Sequence, residues 1–134
     1  MISYKEFDSK LIESVKEIYR KESWLAYLKD DDKLIRSFDN SLYILGAFDE
    51  DKLVGFVRCL GDGEHALLVQ DLIIDKGYQK KGIGTYLFKT IMEKYADVRM
   101  FLVITDLEDE VDNKFYQSFG MKKLVDKSMV GYIR

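Results

Sequence analysis

Residues 67–96 constrain this chain more than any other stretch. They read LLVQDLIID, then KGYQKKGIGT, then YLFKTIMEKYA. An apolar run rich in Leu, Val and Ile predicts a largely buried strand. Apolar residues at Ile83, Leu87, Ile91 and Tyr95 predict a helix with one inward face. The loop between them carries glycines at 77, 82 and 84. A strand that feeds a helix through such a loop leaves the first helical N–H groups without intrahelical partners, at the positive end of the helix dipole. Glycine removes the Cβ that would keep a ligand from the backbone. The product is an anion site suited to a phosphate or pyrophosphate.

Spacing narrows the choice of ligand. Gly77 and Gly82 match the first two glycines of the nucleotide-triphosphate loop G-x-x-x-x-G-K-[ST], but Ile83 stands where the lysine belongs. The dinucleotide pattern G-x-G-x-x-G fails as well, since from Gly82 it needs a glycine where Leu87 stands. What fits is Gln79-x-x-Gly82-x-Gly84 between a strand and a helix. This resembles the [QR]-x-x-G-x-[GA] signature of the GNAT-family acyl-CoA N-acyltransferases, and the resemblance extends over nearly the whole chain.

At 134 residues with 47% apolar residues, the chain is expected to form one domain, 1–134, with a proper core. A net charge of −3 gives no basic face for nucleic acid; positive charge is local, at Lys76, Lys80 and Lys81. No apolar run approaches the ~20 residues that span a bilayer, so no membrane association is expected. MISYKEF lacks the basic-then-apolar pattern of a signal peptide, and the single cysteine, Cys59, forms no internal disulfide. A reducing cytoplasm fits these features. Proline is absent, so turns rely on Gly, Asp, Asn and Ser.

The remaining elements follow from periodicity and caps. A first strand covers 2–7. Asp8 or Ser9 caps a helix to about Arg20, with Leu11, Ile12, Val15 and Ile18 inward. Lys21–Leu28 is ambiguous. Asp30–Asp32 offer caps for a helix to about Phe38. Ser41–Phe48 and Leu53–Leu60 form a hairpin around Asp49–Lys52. Gly61–Gly63 turns into the strand at 65–75; helix 83–96 and strand 98–105 follow. A helix from about Asp109 to Phe119 ends at Gly120. Met121–Val125 and Met129–Ile133 read as a terminal antiparallel pair. The fold class is α/β, a mixed sheet in the order β-α-α-β-β-β-α-β-α-β-β, with an antiparallel front half and a β-α-β crossover. The GNAT resemblance adds that the fourth and fifth strands splay apart to admit the pantetheine arm of the cofactor.

The resemblance also implies roles. The backbone from Gln79 through Lys80, Lys81, Gly82, Ile83 and Gly84 to Thr85 would hold the pyrophosphate of acetyl-CoA. Leu72, Ile73 and Ile74 would pair their backbone with the pantetheine amides while their side chains pack in the core. DNKFYQSFGM, residues 112–121, is similar to the family's late helix. There Tyr116 would protonate the departing thiolate, although by itself a helical Tyr is also ordinary half-buried packing. A common family Asn falls at Asp109, and Asn113 is the nearby alternative for cofactor contact.

An ammonium acceptor must lose a proton, its pKa being near ~10.4 if lysine-like, so a general base is needed. Asp71 is the first candidate, with Glu64 and His65 as others. Trp24 and Tyr27 are candidates for the acceptor pocket or for core closure, and Glu22, Asp30 and Asp31 for attraction of a cationic amine or for solvated charge. One His and one Cys are too few for a metal site, so none is expected. The chain reads as an N-acetyltransferase moving acetyl from acetyl-CoA directly to a primary amine, on a small molecule or a peptide. The alternative is a non-catalytic acyl-CoA-binding sensor or partner module. Both a monomer and a homodimer are compatible with the sequence.

Overall fold

The computed structural model describes all residues, 1–134. The chain divides into two compact units, Met1–Val103 and Ile104–Arg134.

The first unit is built on five strands in the order β1-β2-β3-β4-β5: β1 (Ile2–Glu6), β2 (Tyr43–Asp49), β3 (Lys52–Gly61), β4 (Ala66–Ile74) and β5 (Met100–Val103). The first four pair antiparallel, and β5 runs parallel to β4. Helices α1 (Ile12–Lys21) and α2 (Asp31–Asp39) precede β2, and α3 (Ile83–Lys94) makes the crossover from β4 to β5. The expected caps are in place. Asp8 accepts the Lys10 N–H at the turn that opens α1, and Asp30 accepts the Lys33 N–H at the start of α2. The ambiguous segment 21–28 ends in a 3-10 turn at Leu25–Leu28.

Alternation dictates the layers. β2 and β3 are buried on both faces, so both faces carry helices. Val15, Ile18 and Tyr19 of α1 and Leu34 and Phe38 of α2 form one core with Ile44, Phe48, Leu53, Phe56 and Ile73. Ile83, Leu87, Phe88 and Ile91 of α3 are buried against β2, β3 and β4. At ~1.5–3 kcal/mol for each large apolar side chain, these two layers dominate the drive to fold.

Two departures from regular pairing shape β4. Arg58 faces Asp71 while the next residue, Cys59, faces Val69, so Gln70 is an extra residue, a bulge. Pairing with β5 covers only Ala66–Val69. Beyond the bulge, Gln70–Ile74 has β3 on one side and no strand on the other, which is the expected splay.

The second unit holds α4 (Glu110–Ser118), capped by Asp109 through the Asp112 N–H. The expected terminal strand pair does not form. Residues 124–127 make a 3-10 turn, and the Ser128 and Met129 N–H groups bond back to Val125 and Leu124. Local bonds thus take the backbone groups a ladder would need, and Val130, Tyr132 and Ile133 remain exposed. No helix in the chain is long and apolar enough to cross a membrane.

The β3–β4 turn gives a test of this frame. Gly61 has φ +127°, and a Cβ there would run into the Ala66 carbonyl oxygen. Gly61→Ala should cost about 1–3 kcal/mol and lower the urea midpoint with an unchanged slope. A parent-like midpoint would show that the turn carries no such constraint.

Candidate active site

The loop after β4 is held from three directions. Asp75, almost fully buried, accepts the Gly77 N–H at 2.9 Å through one oxygen and Lys21 Nζ at 3.0 Å through the other. Burial acts to raise its carboxyl pKa, but the Gly77 N–H and the Lys21 ammonium outweigh it, leaving Asp75 below the usual carboxylate range. The Tyr78 hydroxyl donates to Asp49 at 2.6 Å, tying the loop to the end of β2. Gln79 Nε2 donates to the Ile74 carbonyl at 3.0 Å and to Glu22 Oε1 at 3.2 Å. Lys80 has φ +63°, and Lys81 lies over the Tyr78 ring at 5.4 Å.

The helix opening beyond the loop fits an anion. Gly82 is its N-cap, in the left-handed region at φ +82°, and no side chain caps α3. A Cβ on Gly82 would meet nothing within 4 Å. Its glycine therefore serves the backbone angle and keeps open space in front of the first-turn N–H groups of Ile83, Gly84 and Thr85. The Ile83 side chain itself is buried, which is why a lysine of the triphosphate type is not called for here. Lys80 and Lys81 are exposed cations beside this opening in sequence. Leu72 and Ile74 are half-buried and Ile73 is buried, so all three side chains pack; no strand pairs with Gln70–Ile74 on the β5 side, where the Ile74 carbonyl is taken by Gln79.

Asp71 lies at the centre of a buried polar cluster. Its Oδ2 accepts Arg58 Nε and the Tyr19 hydroxyl, both at 2.7 Å, and its Oδ1 accepts the Tyr27 hydroxyl at 2.7 Å. Arg58 also donates to Ser41 Oγ at 3.2 Å, and Gln70 Nε2 donates to the Tyr27 hydroxyl at 3.0 Å. Burial opposes the Arg58 charge, but the Asp71 carboxylate outweighs it and holds the guanidinium pKa up. The Tyr19 phenol is pushed far above its ordinary value, by burial first and then by the Asp71 charge. Tyr19 stacks on Tyr27 at 4.3 Å and on Trp24 at 5.9 Å. Trp24 keeps 37% of its surface exposed, so the two residues expected at the acceptor pocket form an aromatic wall backed by the core.

The other residues singled out from the sequence separate. Glu64 and His65 are exposed in the β3–β4 turn, where Asp62 accepts the N–H groups of 64, 65 and 66. That is the far end of the nine-residue β4 from the loop, roughly 26 Å away at ~3.3 Å per residue. Asp30 is occupied as a cap, and Asp31 pairs with Lys16 at 2.9 Å. Glu22 alone of the three acids is joined to the loop. Cys59 is fully buried, and burial pushes its thiol up to about 12, so it supplies no thiolate for an acyl-enzyme.

In the second unit, Tyr116 is half-buried, with Phe115 edge-on at 5.2 Å. Burial first, then the charges of Asp112 and Asp109, raise its phenol pKa and keep the proton on. Asn113 Nδ2 donates to the carbonyls of Asp106, Leu107 and Asp109 at 3.0, 3.3 and 2.7 Å, so its amide anchors the turn that opens α4.

Sequence reasoning missed Tyr19, Arg58 and Gln70. The available signal was a lone Arg in LVGFVRCL and a lone Asp in LLVQDLII, opposite charges in adjacent apolar strands.

Comparison with known proteins gives the family and the fold. A GNAT-family acetyltransferase of Streptococcus pneumoniae superposes with a TM-score of 0.87 at 31% identity, covering 100% of this chain and 97% of that one. The PaiA N-acetyltransferase of Thermoplasma acidophilum, solved in complex with coenzyme A, has the same fold, with a TM-score of 0.76 at 19% identity over 91% and 90% of the two chains. An uncharacterised ycf52-like N-acetyltransferase of Prochlorococcus marinus is 32% identical over 89 residues, which are 63% of this chain and 49% of that protein. The chain thus spans about half the length of that curated relative. The model of the GNAT acetyltransferase family matches residues 9–121, taking in the open edge of β4, the loop and α4, and the chain belongs to that family.

Proposed function

We propose that this protein transfers the acetyl group of acetyl-CoA directly to a primary amine. One observation carries the reading: a helix N-terminus that no side chain caps, at Gly82, follows a strand with no partner strand beside Gln70–Ile74 on its β5 side. Acetyl-CoA would bring the acetyl group as a thioester. The N–H groups at Gly82–Thr85 would hold its pyrophosphate, with Lys80 and Lys81 adding charge. The open backbone at Leu72–Ile74 would pair with the pantetheine amides. Trp24 and Tyr27 would form the wall against which the acceptor packs.

Asp71, the expected general base, has both oxygens engaged by a guanidinium and two phenols. We assign it the task of fixing Tyr19 and Tyr27. The family resemblance gives Tyr116 the role of proton donor to the thiolate, and its own surroundings keep the phenol protonated. The engagement of Asp71 is also the observation that favours the second reading, an acyl-CoA-binding module without turnover. Release of CoA thiol from acetyl-CoA across a panel of amines, polyamines and peptide N-termini separates the two.

Three outcomes test the transferase reading. CoA at ~100 times its Kd should stabilise the fold by ~2.7 kcal/mol and raise the melting temperature. A shift with ATP and none with millimolar-range CoA would remove the assignment. Gly82→Val should abolish CoA binding while the fold survives, because the side chain enters the open space and the left-handed angle adds about 1–3 kcal/mol of strain. Parent-like CoA affinity in that variant would put the phosphate elsewhere. With an active acceptor in hand, Tyr116→Phe should lower kcat by about 10²–10⁴-fold at unchanged CoA affinity. An unchanged kcat, measured where chemistry limits the rate, would return Tyr116 to a packing role.

A further inference from the structure

The phosphate loop and the aromatic wall are bonded to each other through the C-terminal end of α1. Lys21 and Glu22 are consecutive residues there, and each reaches the loop: Lys21 to Asp75 at 3.0 Å, and Glu22 to Gln79 at 3.2 Å. Asp75 in turn holds the Gly77 N–H, and the same Gln79 amide holds the Ile74 carbonyl. The chain then continues from Glu22 into the wall. The Trp24 N–H bonds to the Tyr19 carbonyl at 2.9 Å, and the Tyr27 hydroxyl bonds to Asp71 and Gln70. The turn 21–27 is therefore fastened to β4 at two places, around Gln70–Asp71 and around Ile74–Gln79. Asp75 is 7% exposed at its side chain and Lys21 41%, so the loop end of this link is buried and its α1 end half in water.

We propose that Lys21, Glu22 and Gln79 are positioning residues that couple occupation of the phosphate loop to ordering of the Trp24–Tyr27 wall, so that CoA and the acceptor amine bind cooperatively. The inference rests on the loop being the CoA site. Seating a pyrophosphate on the loop restricts Asp75 and Gln79. Their partners Lys21 and Glu22 are restricted with them, and the turn that carries Trp24 loses freedom in the same event. An amine arriving second meets a wall whose ordering cost has already been met. Coupling between two ligands is reciprocal. CoA affinity measured without the amine does not contain that factor, so the link is read from the response of the wall itself when CoA binds.

Trp24 is the only tryptophan in the chain, so its emission reports the wall without a label. The experiment measures CoA affinity by calorimetry and Trp24 emission through the same titration. In the parent, emission should change and saturate at the calorimetric Kd. Lys21→Met/Glu22→Ala should lose most of the emission change at CoA saturation, and should melt below the parent because the buried Asp75 carboxylate loses its ammonium partner. Lys21→Arg should keep both affinity and response. Lys21→Met alone, at a half-exposed side chain, should show the same losses in part and serves if the double variant folds poorly. Parent-like affinity and emission change in the variants would overturn the coupling, as would weaker CoA binding with an undiminished Trp24 response. Failure of the parent itself to bind CoA would overturn the reading of the loop, and the coupling with it; that result is read on the parent before any variant is made.

Discussion

The ion pair between Arg58 and Asp71 is the interaction on which the site depends. Two charges stand opposite each other in otherwise apolar strands, with no water to solvate them. Losing one partner of such a pair typically costs about 3–5 kcal/mol, because the other is left buried and uncompensated. A one-residue slip of β4 against β3 would have the same effect. The pair therefore pins the register at the position where the bulge begins. Gln70 is the residue left over, and β5 stops pairing immediately before it. The open edge begins where this pair and the bulge fall. The same carboxylate aims the hydroxyls of Tyr19 and Tyr27, so the aromatic wall and the open edge of β4 share one anchor.

The loop after β4 is held by different means. No side chain caps the helix it opens. Its stability comes instead from bonds at its outer edges, through Asp75, Tyr78 and Gln79, to α1, to β2 and to its own strand. The acidic groups there are engaged by donors. Asp75 is spent on Lys21 and Gly77, and Asp49 on Tyr78. Within the loop the left-handed backbone falls at Lys80 and at Gly82, where glycine adopts it freely.

What could be read from the sequence was the local chemistry. The loop, its glycines, the helix after it and the Asp30 and Asp109 caps all follow from neighbours within a few residues. So does the burial of Leu72, Ile73 and Ile74. The pairing of residues 58 and 71 depends on strand register, which periodicity alone does not supply, and Asp71 therefore looked like a free acid. Trp24 and Tyr27 invited two readings, pocket or core; Tyr27 packs against the core, and Trp24 keeps 37% of its surface exposed. Met129–Ile133 has the composition of a strand, but composition does not provide a partner, and the Leu124–Lys127 turn claims the backbone nearby.

The burial of Cys59 has a practical consequence. A chromogenic disulfide that counts released CoA attacks any accessible thiol, and many enzymes contaminate such an assay with their own. Here the sole cysteine is shut inside β3 with its ionisation suppressed. Burial of the thiol predicts that the folded protein stays silent to such a reagent. Slow labelling of Cys59 in the absence of substrate becomes a separate clock, one that runs only when β3 leaves the sheet.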